Sequence, residues 1–116
     1  MITMDVSELD NGVKLISLNG ALDMAGHTAI EDRFTFNATT RKGGVIVDMS
    51  GVDFIASIGI RLLLASAKSL DKRGGKMGLY NPQSNVMMVL ANTGIDQMIP
   101  IYANLDTACV ELSTYQ

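Results

Sequence analysis

The chain opens with two short segments in which apolar and polar residues alternate. One runs from Ile2 to Val6 and the other from Val13 to Leu15. Alternation with a period of two is typical of a strand that has one buried face. Between the segments lies Asp10-Asn11-Gly12, and an Asn-Gly pair readily adopts the positive φ values of a tight turn. These residues predict a β-hairpin.

A helix and then a near-continuous apolar run follow the hairpin. Gly20-Ala21-Leu22-Asp23 ends the second strand, and a helix is expected from Ala25 to about Thr40, stopped by Arg41-Lys42-Gly43-Gly44. The run itself, Val45-Ile46-Val47-Asp48-Met49, has the pattern of a strand covered on both faces in a parallel sheet. We therefore place it at the centre of the sheet, followed by a connection over residues 50–56.

Strands and helices alternate through the rest of the chain. The clearest helix ends at Lys72-Arg73-Gly74-Gly75, a strand follows over residues 76–80, and Asn81-Pro82 is expected to cap a helix that closes at Gly94. Residues 99–102 predict an edge strand, and Asn104 begins a last helix. The order ββαβαβαβα predicts one α/β domain over residues 1–116, with a mixed, mostly parallel sheet and right-handed crossovers.

Composition narrows the range of functions. The 116 residues are 47% hydrophobic and 18% charged, enough for one core, and the net charge of −3 offers no broad basic surface for nucleic acid. Cys109 and His27 are the single cysteine and histidine, which leaves no disulfide and no cysteine cage for a metal. No apolar run approaches the roughly 20 residues that cross a bilayer. We expect a cytoplasmic protein without cofactor, metal or membrane insertion.

Ser57 lies where the clearest helix begins, and is predicted to be its N-cap. Capping alone explains a serine there about as well as a functional role does. A helical wheel places Ile58 and Leu62 away from the main apolar face, so both are expected to be partly exposed next to Ser57. If the helix is wedged between the sheet and a neighbouring helix, Leu62 is buried instead. The main apolar face carries Ile60, Leu63, Leu64 and Ala67.

The run from Val45 to Ile60 resembles the signature of STAS domains, in which a buried strand leads to an aromatic residue and then to a serine and a glycine that open a helix. Gly20-Ala21-Leu22-Asp23 is similar to the Gly-x-(Leu/Ile)-Asp element of the family. Three later segments between the predicted elements also match the family: Arg73-Gly74-Gly75-Lys76, Asn81-Pro82 and Asn92-Thr93-Gly94-Ile95. The resemblance therefore covers essentially the whole chain.

The resemblance to the anti-sigma-factor antagonists of this family implies a STAS-like fold and a function in partner switching. It implies that Ser57 is the phosphoacceptor of an anti-sigma-factor serine kinase of the GHKL ATPase type, with a phosphatase as a further candidate partner. The unphosphorylated form would bind the kinase and so release the sigma factor. We expect the surface that binds the partner to include Asp23, Ala56, Ile58, Gly59, Arg61 and Leu62.

Other functions stay open on the sequence alone. Two positions depart from the Asp-Ser-(Ser/Thr)-Gly pattern of the antagonists, since Ala56 replaces the aspartate and Ile58 the second hydroxyl. A non-phosphorylated STAS subunit, either a scaffold or the accessory subunit of a lipid transporter, is therefore the second hypothesis. An enzyme is not expected, because the chain has neither a phosphate-binding glycine motif nor a plausible catalytic triad. For Asp23 a helix cap is the simpler interpretation, and for His27 a solvent-facing position.

Overall fold

The computed structural model describes residues 1–9, 11–40 and 43–115 of the chain. These residues form a five-stranded sheet with the strands in sequential order. The first two strands are antiparallel and all later neighbours are parallel, which confirms the predicted mixed α/β class. The strands are β1 (Thr3–Glu8), β2 (Lys14–Leu22), β3 (Gly44–Ile55), β4 (Lys76–Tyr80) and β5 (Ile101–Tyr102).

Four α-helices connect or follow these strands, and the predicted order ββαβαβαβα is confirmed. A short 3-10 helix, Ile95–Gln97, was not predicted and lies between the third helix and β5. The α-helices are α1 (Met24–Thr39), α2 (Ser57–Lys72), α3 (Ser84–Asn92) and α4 (Leu105–Leu112).

The opening hairpin is present, but its turn differs from the predicted one. Gly12 has a φ of 77°, whereas Asn11 is not in the positive region. The Leu9 N–H donates to the Val13 carbonyl at 2.8 Å and closes the loop. Asp10, the first residue of the predicted turn, lies outside the described residues. Among the residues of the turn that the structure describes, the left-handed one is the glycine, which carries no Cβ penalty there.

Strand β3 is longer than its apolar run indicates, so the predicted connection over residues 50–56 is wrong. β2 continues alongside it, and Leu22 is paired with Ile55. The longer neighbour supplies backbone partners that keep residues 50–55 extended. Between the pairs Gly20–Val52 and Ala21–Phe54, β3 advances by two residues while β2 advances by one. Asp53 is thus the extra residue of a β-bulge.

The predicted central position of β3 is confirmed, and both of its faces are buried. Val45 and Val47 belong to the larger core cluster, to which α1, α2 and α3 contribute. Ile46 points to the other face and packs in a smaller cluster with Leu112 of α4. Helices therefore cover both sides of this strand, which explains why its sequence contains so few polar residues.

Two helix and strand boundaries differ from expectation. Asn81 does not cap α3. It has a φ of 53°, donates its N–H to the Tyr102 carbonyl and so ends the pairing of β4, while Gln83 occupies the N-cap position. The last strand shortens to two residues. Gly94, with a φ of 79°, follows α3 as predicted. Helix α1 ends at Thr39 with Thr40 as its C-cap, and the Arg41 and Lys42 of the predicted stop lie outside the described residues.

Candidate partner-binding site

Helices α1 and α2 begin side by side at the end of the sheet where β2 and β3 finish. The Ala56 N–H donates to the Leu22 carbonyl at 3.0 Å, just beyond the paired residues Leu22 and Ile55. Asp23 follows Leu22 directly, and Ser57 follows Ala56. The sheet register thus brings the two helix starts, which are more than thirty residues apart in sequence, to neighbouring points on the surface.

Asp23 is the N-cap of α1, as the simpler interpretation of the sequence expected. Its carboxylate Oδ1 accepts a hydrogen bond from the Gly26 N–H at 2.8 Å. The side chain is half-buried. A carboxylate at this position satisfies one of the free amides of the first turn and interacts favourably with the helix dipole. Asp23 therefore supports the fold and also places negative charge beside the start of α2.

Ser57 is not the N-cap of α2, and this prediction was wrong. Ala56 has the extended backbone of the cap position, with no side-chain cap, and Ser57 is the first residue inside the helix. Ser57 is exposed. Its hydroxyl makes no hydrogen bond to any residue that the structure describes. The oxygen is therefore at the surface and is not engaged in holding the helix.

Two residues expected on the partner surface lie beneath it instead. Leu62 is only 6% exposed and belongs to the main core, because α2 is packed against both the sheet and α1. Gly59 is also buried, and a Cβ built there would lie 2.7 Å from Leu22 Cγ and 3.0 Å from Ile55 Cγ1. Glycine lets α2 approach the ends of β2 and β3 closely. Both residues hold the site in place, and neither belongs to the exposed surface next to Ser57.

Apolar residues lie at the two neighbouring helix starts and next to Ser57 in the sequence. Met24, the first residue of α1, is 65% exposed, and Phe54 is 52% exposed. Ile58 is half-buried, as predicted, and Ala56 is half-buried as well. A contiguous exposed apolar patch is typical of a surface that another protein covers, and these residues are the candidates for such a patch at this end of the sheet.

The exposure of Phe54 follows from the bulge at Asp53. The extra residue breaks the alternation of inward and outward side chains, so Asp53 and Phe54 are both exposed while Val52 and Ile55 are buried. Asn85, in the first turn of α3, donates its side-chain N–H to the Asp53 carbonyl at 2.8 Å and holds this segment. Sequence reasoning missed Phe54 and Met24 as surface residues. For Phe54 the sequence did contain a signal: the apolar residues Val52 and Ile55 are three positions apart, whereas inward-facing residues of a regular strand are two apart.

Comparison with known families identifies the domain. The family model for the STAS domain matches residues 6–108. The chain belongs to the STAS-domain family. An anti-sigma-F factor antagonist of Mycobacterium tuberculosis is 24% identical over 107 residues, which cover 92% of this chain and 86% of that protein. An anti-sigma F factor antagonist of Paenibacillus polymyxa is 26% identical over 108 residues, covering 90% and 91% of the two chains.

Solved structures agree with this assignment. The crystal structure of an anti-sigma factor antagonist from Mycobacterium paratuberculosis superposes with a TM-score of 0.87 at 28% identity. The match covers 97% of this STAS domain and 94% of that chain. The likeness extends over nearly the full length of both chains, in agreement with the STAS match.

The remaining features of this STAS domain concern charge. Arg61 is exposed one turn after Ser57, and Asp53 is exposed beside Phe54. The expectation that His27 faces solvent was wrong: its side chain is 13% exposed, with Nε2 3.7 Å from Glu31 Oε2.

In the described ranges, no group of three or more His, Cys, Asp or Glu residues could hold a metal. Nor does any helix of those ranges have the length and apolar character needed to span a bilayer.

Proposed function

We propose that this STAS domain is an anti-sigma-factor antagonist that acts by partner switching. Without phosphate on Ser57 it binds an anti-sigma-factor serine kinase of the GHKL ATPase type, and the sigma factor is released. Phosphorylation of Ser57 dissociates the kinase. The names of the relatives support the antagonist role. The observation that carries the proposal is the exposed Ser57 hydroxyl, without an internal partner, beside exposed apolar side chains.

The chain supplies only the acceptor in the proposed phosphoryl transfer. The Ser57 Oγ forms a bond to the γ-phosphorus of ATP while the bond from that phosphorus to the β–γ bridging oxygen breaks. ADP leaves, and the hydroxyl proton passes to a base of the kinase. All catalytic groups belong to the partner, so the antagonist itself is proposed not to be an enzyme.

The physical effect of the phosphate is to make the docking surface harder to desolvate. It adds about 1.5 to 2 negative charges beside Asp23 and Asp53. A strongly hydrated group would then lie among Met24, Phe54 and Ile58. A partner must remove the water from these side chains in order to bind. A hundredfold loss of affinity requires about 2.8 kcal/mol, at about 1.4 kcal/mol per factor of ten. This cost is within the range of one buried, unpaired charge.

The proposed switch needs no refolding. Ser57 is the first residue of α2, and the free amides of a first helical turn interact favourably with negative charge. Phosphate there is therefore tolerated by the fold. The modified protein should unfold at nearly the same urea concentration as the unmodified one, with the difference confined to partner binding. We propose that both forms act in the cytoplasm.

A second candidate function is favoured by the residues next to Ser57. Ala56 and Ile58 stand where antagonists usually have an aspartate and a second hydroxyl. A STAS subunit that is not phosphorylated, either a scaffold or the accessory subunit of a lipid ABC transporter, would have no need of those groups. Such a subunit would use the same apolar surface for a constitutive contact.

Phosphopeptide mapping distinguishes the two candidates. The partner is first isolated from the native cell, and the purified pair is incubated with ATP and magnesium. We expect mass spectrometry to find one phosphate, on Ser57, in the wild-type chain and none in Ser57→Ala. A bound kinase that leaves Ser57 unmodified contradicts the phosphorylation switch, and a transporter as the bound partner supports the second candidate.

A further inference from the structure

A groove runs along the surface between α1 and α2, starting next to the Ser57 site. We call it the α1–α2 groove. One wall is a stripe of α1 that includes Glu31, Thr35 and Thr39, and the other wall is formed by residues of α2 from Ile58 to Ser69. The groove encloses about 320 Å³. From residue 27 to residue 39 its α1 wall extends about 18 Å, at about 1.5 Å per helical residue.

Its floor contains a polar group that has no partner within the chain. Ser66 is 3% exposed and lines the groove, and its hydroxyl makes no hydrogen bond to any residue in the described ranges. No fully enclosed side-chain oxygen among those residues is left without a partner, so the small exposed part of Ser66 includes its hydroxyl, which opens into the groove. The Ser66 hydroxyl is therefore a donor that a molecule in the groove can reach, in exchange for water.

The groove also carries a cation that is not neutralised. Arg61 lies on its rim, is exposed, and forms no ion pair or hydrogen bond with the described part of the chain. A guanidinium group has five donors in a planar fork that matches a carboxylate or a phosphate. On the α1 wall, Glu31 Oε2 lies 3.7 Å from His27 Nε2, whereas Arg61 and Ser66 on the α2 side have unused donors, which favour an occupant that brings hydrogen-bond acceptors to that side.

Arg61 is also placed to respond to phosphorylation. It follows Ser57 by four residues on α2, and side chains four residues apart lie on the same face of a helix. A phosphate on Ser57 would therefore be within reach of the guanidinium. Phosphate carries more charge than a carboxylate and accepts two parallel hydrogen bonds from arginine. The two anions would compete for one cation.

We propose that the α1–α2 groove receives a helix of the anti-sigma partner, that an acidic side chain of this helix pairs with Arg61, and that phosphate on Ser57 captures Arg61 and breaks the pair. The inference rests on the proposed function and identifies a second part of its interface. A helix is the fitting occupant because the groove is long and open, and because Ala65, Ser66 and Ser69 in its α2 wall are small enough to allow close approach.

Filling the groove tests the first part of the proposal. Thr35 is exposed on α1 and lines the groove, whereas Thr107 is exposed on α4, on the opposite face of the sheet. Thr35→Met should weaken binding of the anti-sigma partner at least tenfold in calorimetry. Thr107→Met, the same change elsewhere, should leave it within twofold. Equal affinities for the two variants overturn the groove as the docking site.

Removing the charge tests the second part. Arg61→Gln should weaken binding of the unphosphorylated protein about tenfold, and phosphorylation of Ser57 should then reduce affinity at least fivefold less than it does in the wild type. If phosphorylation reduces the affinity of the wild type and of Arg61→Gln by the same factor, the phosphate does not act by capturing Arg61. If the wild type binds the anti-sigma partner and neither Thr35→Met nor Arg61→Gln changes that affinity, the inference is wrong and the proposed function still stands. A wild-type chain that binds no anti-sigma factor overturns both.

Discussion

Gly59→Ala changes the contact that places the start of α2 against the sheet. The new Cβ would lie 2.7 and 2.9 Å from Leu22 Cγ and Cδ2, and 3.0 Å from Ile55 Cγ1. Leu22 is fully buried and Ile55 nearly so. Neither side chain can move into solvent, so the helix itself has to shift away from the ends of β2 and β3.

The size of the effect follows from two opposing contributions. Overpacking a well-packed core costs about 1 to 3 kcal/mol, and three contacts at or below 3.0 Å with buried side chains favour the upper half of that range. Replacing glycine by alanine inside a helix returns about 1 kcal/mol. We therefore expect Gly59→Ala to lower the free energy of unfolding by about 1 to 2 kcal/mol.

Urea unfolding followed by circular dichroism measures this change. Lys68→Ala, an exposed substitution on the same helix, serves as the control and should alter the free energy of unfolding by less than about 0.5 kcal/mol. An unchanged or higher urea midpoint for Gly59→Ala would mean that α2 has room for a side chain at its first turn and that the close contact with Leu22 and Ile55 is not needed.

Three further predictions concern burial in α2, the cap of α1 and the titration of Tyr102. Leu62→Ala should cost about 2 to 5 kcal/mol in urea unfolding, whereas Ile58→Glu should cost less than about 1 kcal/mol; similar losses would contradict their different burial. Asp23→Ala should lose about 1 kcal/mol by removing the cap and Asp23→Asn much less, so equal losses would argue against capping. Burial and the hydrogen bond to Glu111 raise the pKa of Tyr102 to about 12 from 10.0, so stability present below pH 10.0 is lost as the pH rises towards 12. Tyr102→Phe should lose less stability over that range than the wild type, as followed by thermal melting.

The fold could be predicted from the sequence because the hydrophobic pattern of each element agrees with its place in the sheet, and because glycines mark the helix ends. The apolar run at residues 45–49 is covered on both faces of the sheet, and Gly94 ends α3 in the left-handed conformation. The extra length of β3 was not predictable in the same way. Residues 50–55 remain extended because β2 runs beside them, and the alternation that would reveal a strand is broken by the bulge at Asp53.

The site was only partly predictable, for reasons of packing. A helical wheel sorts residues by angle about one axis, and it placed Leu62 away from the main apolar face. The structure adds α1 as a second neighbour, which covers Leu62 and widens the buried face of α2. The same pairing of helices creates the α1–α2 groove, and His27 of α1 lines it with a side chain that is only 13% exposed. Ser57 could be singled out by the family motif, but its position inside the helix required backbone geometry.

The most direct test of the account compares one protein in two chemical states. The partner's affinity is measured by calorimetry for the unmodified chain and for the same chain carrying phosphate on Ser57, both confirmed to be folded by their urea midpoints. If Ser57 controls docking, the phosphorylated form binds at least a hundredfold more weakly. Equal affinities of two folded forms would contradict the claim that Ser57 controls docking at this surface.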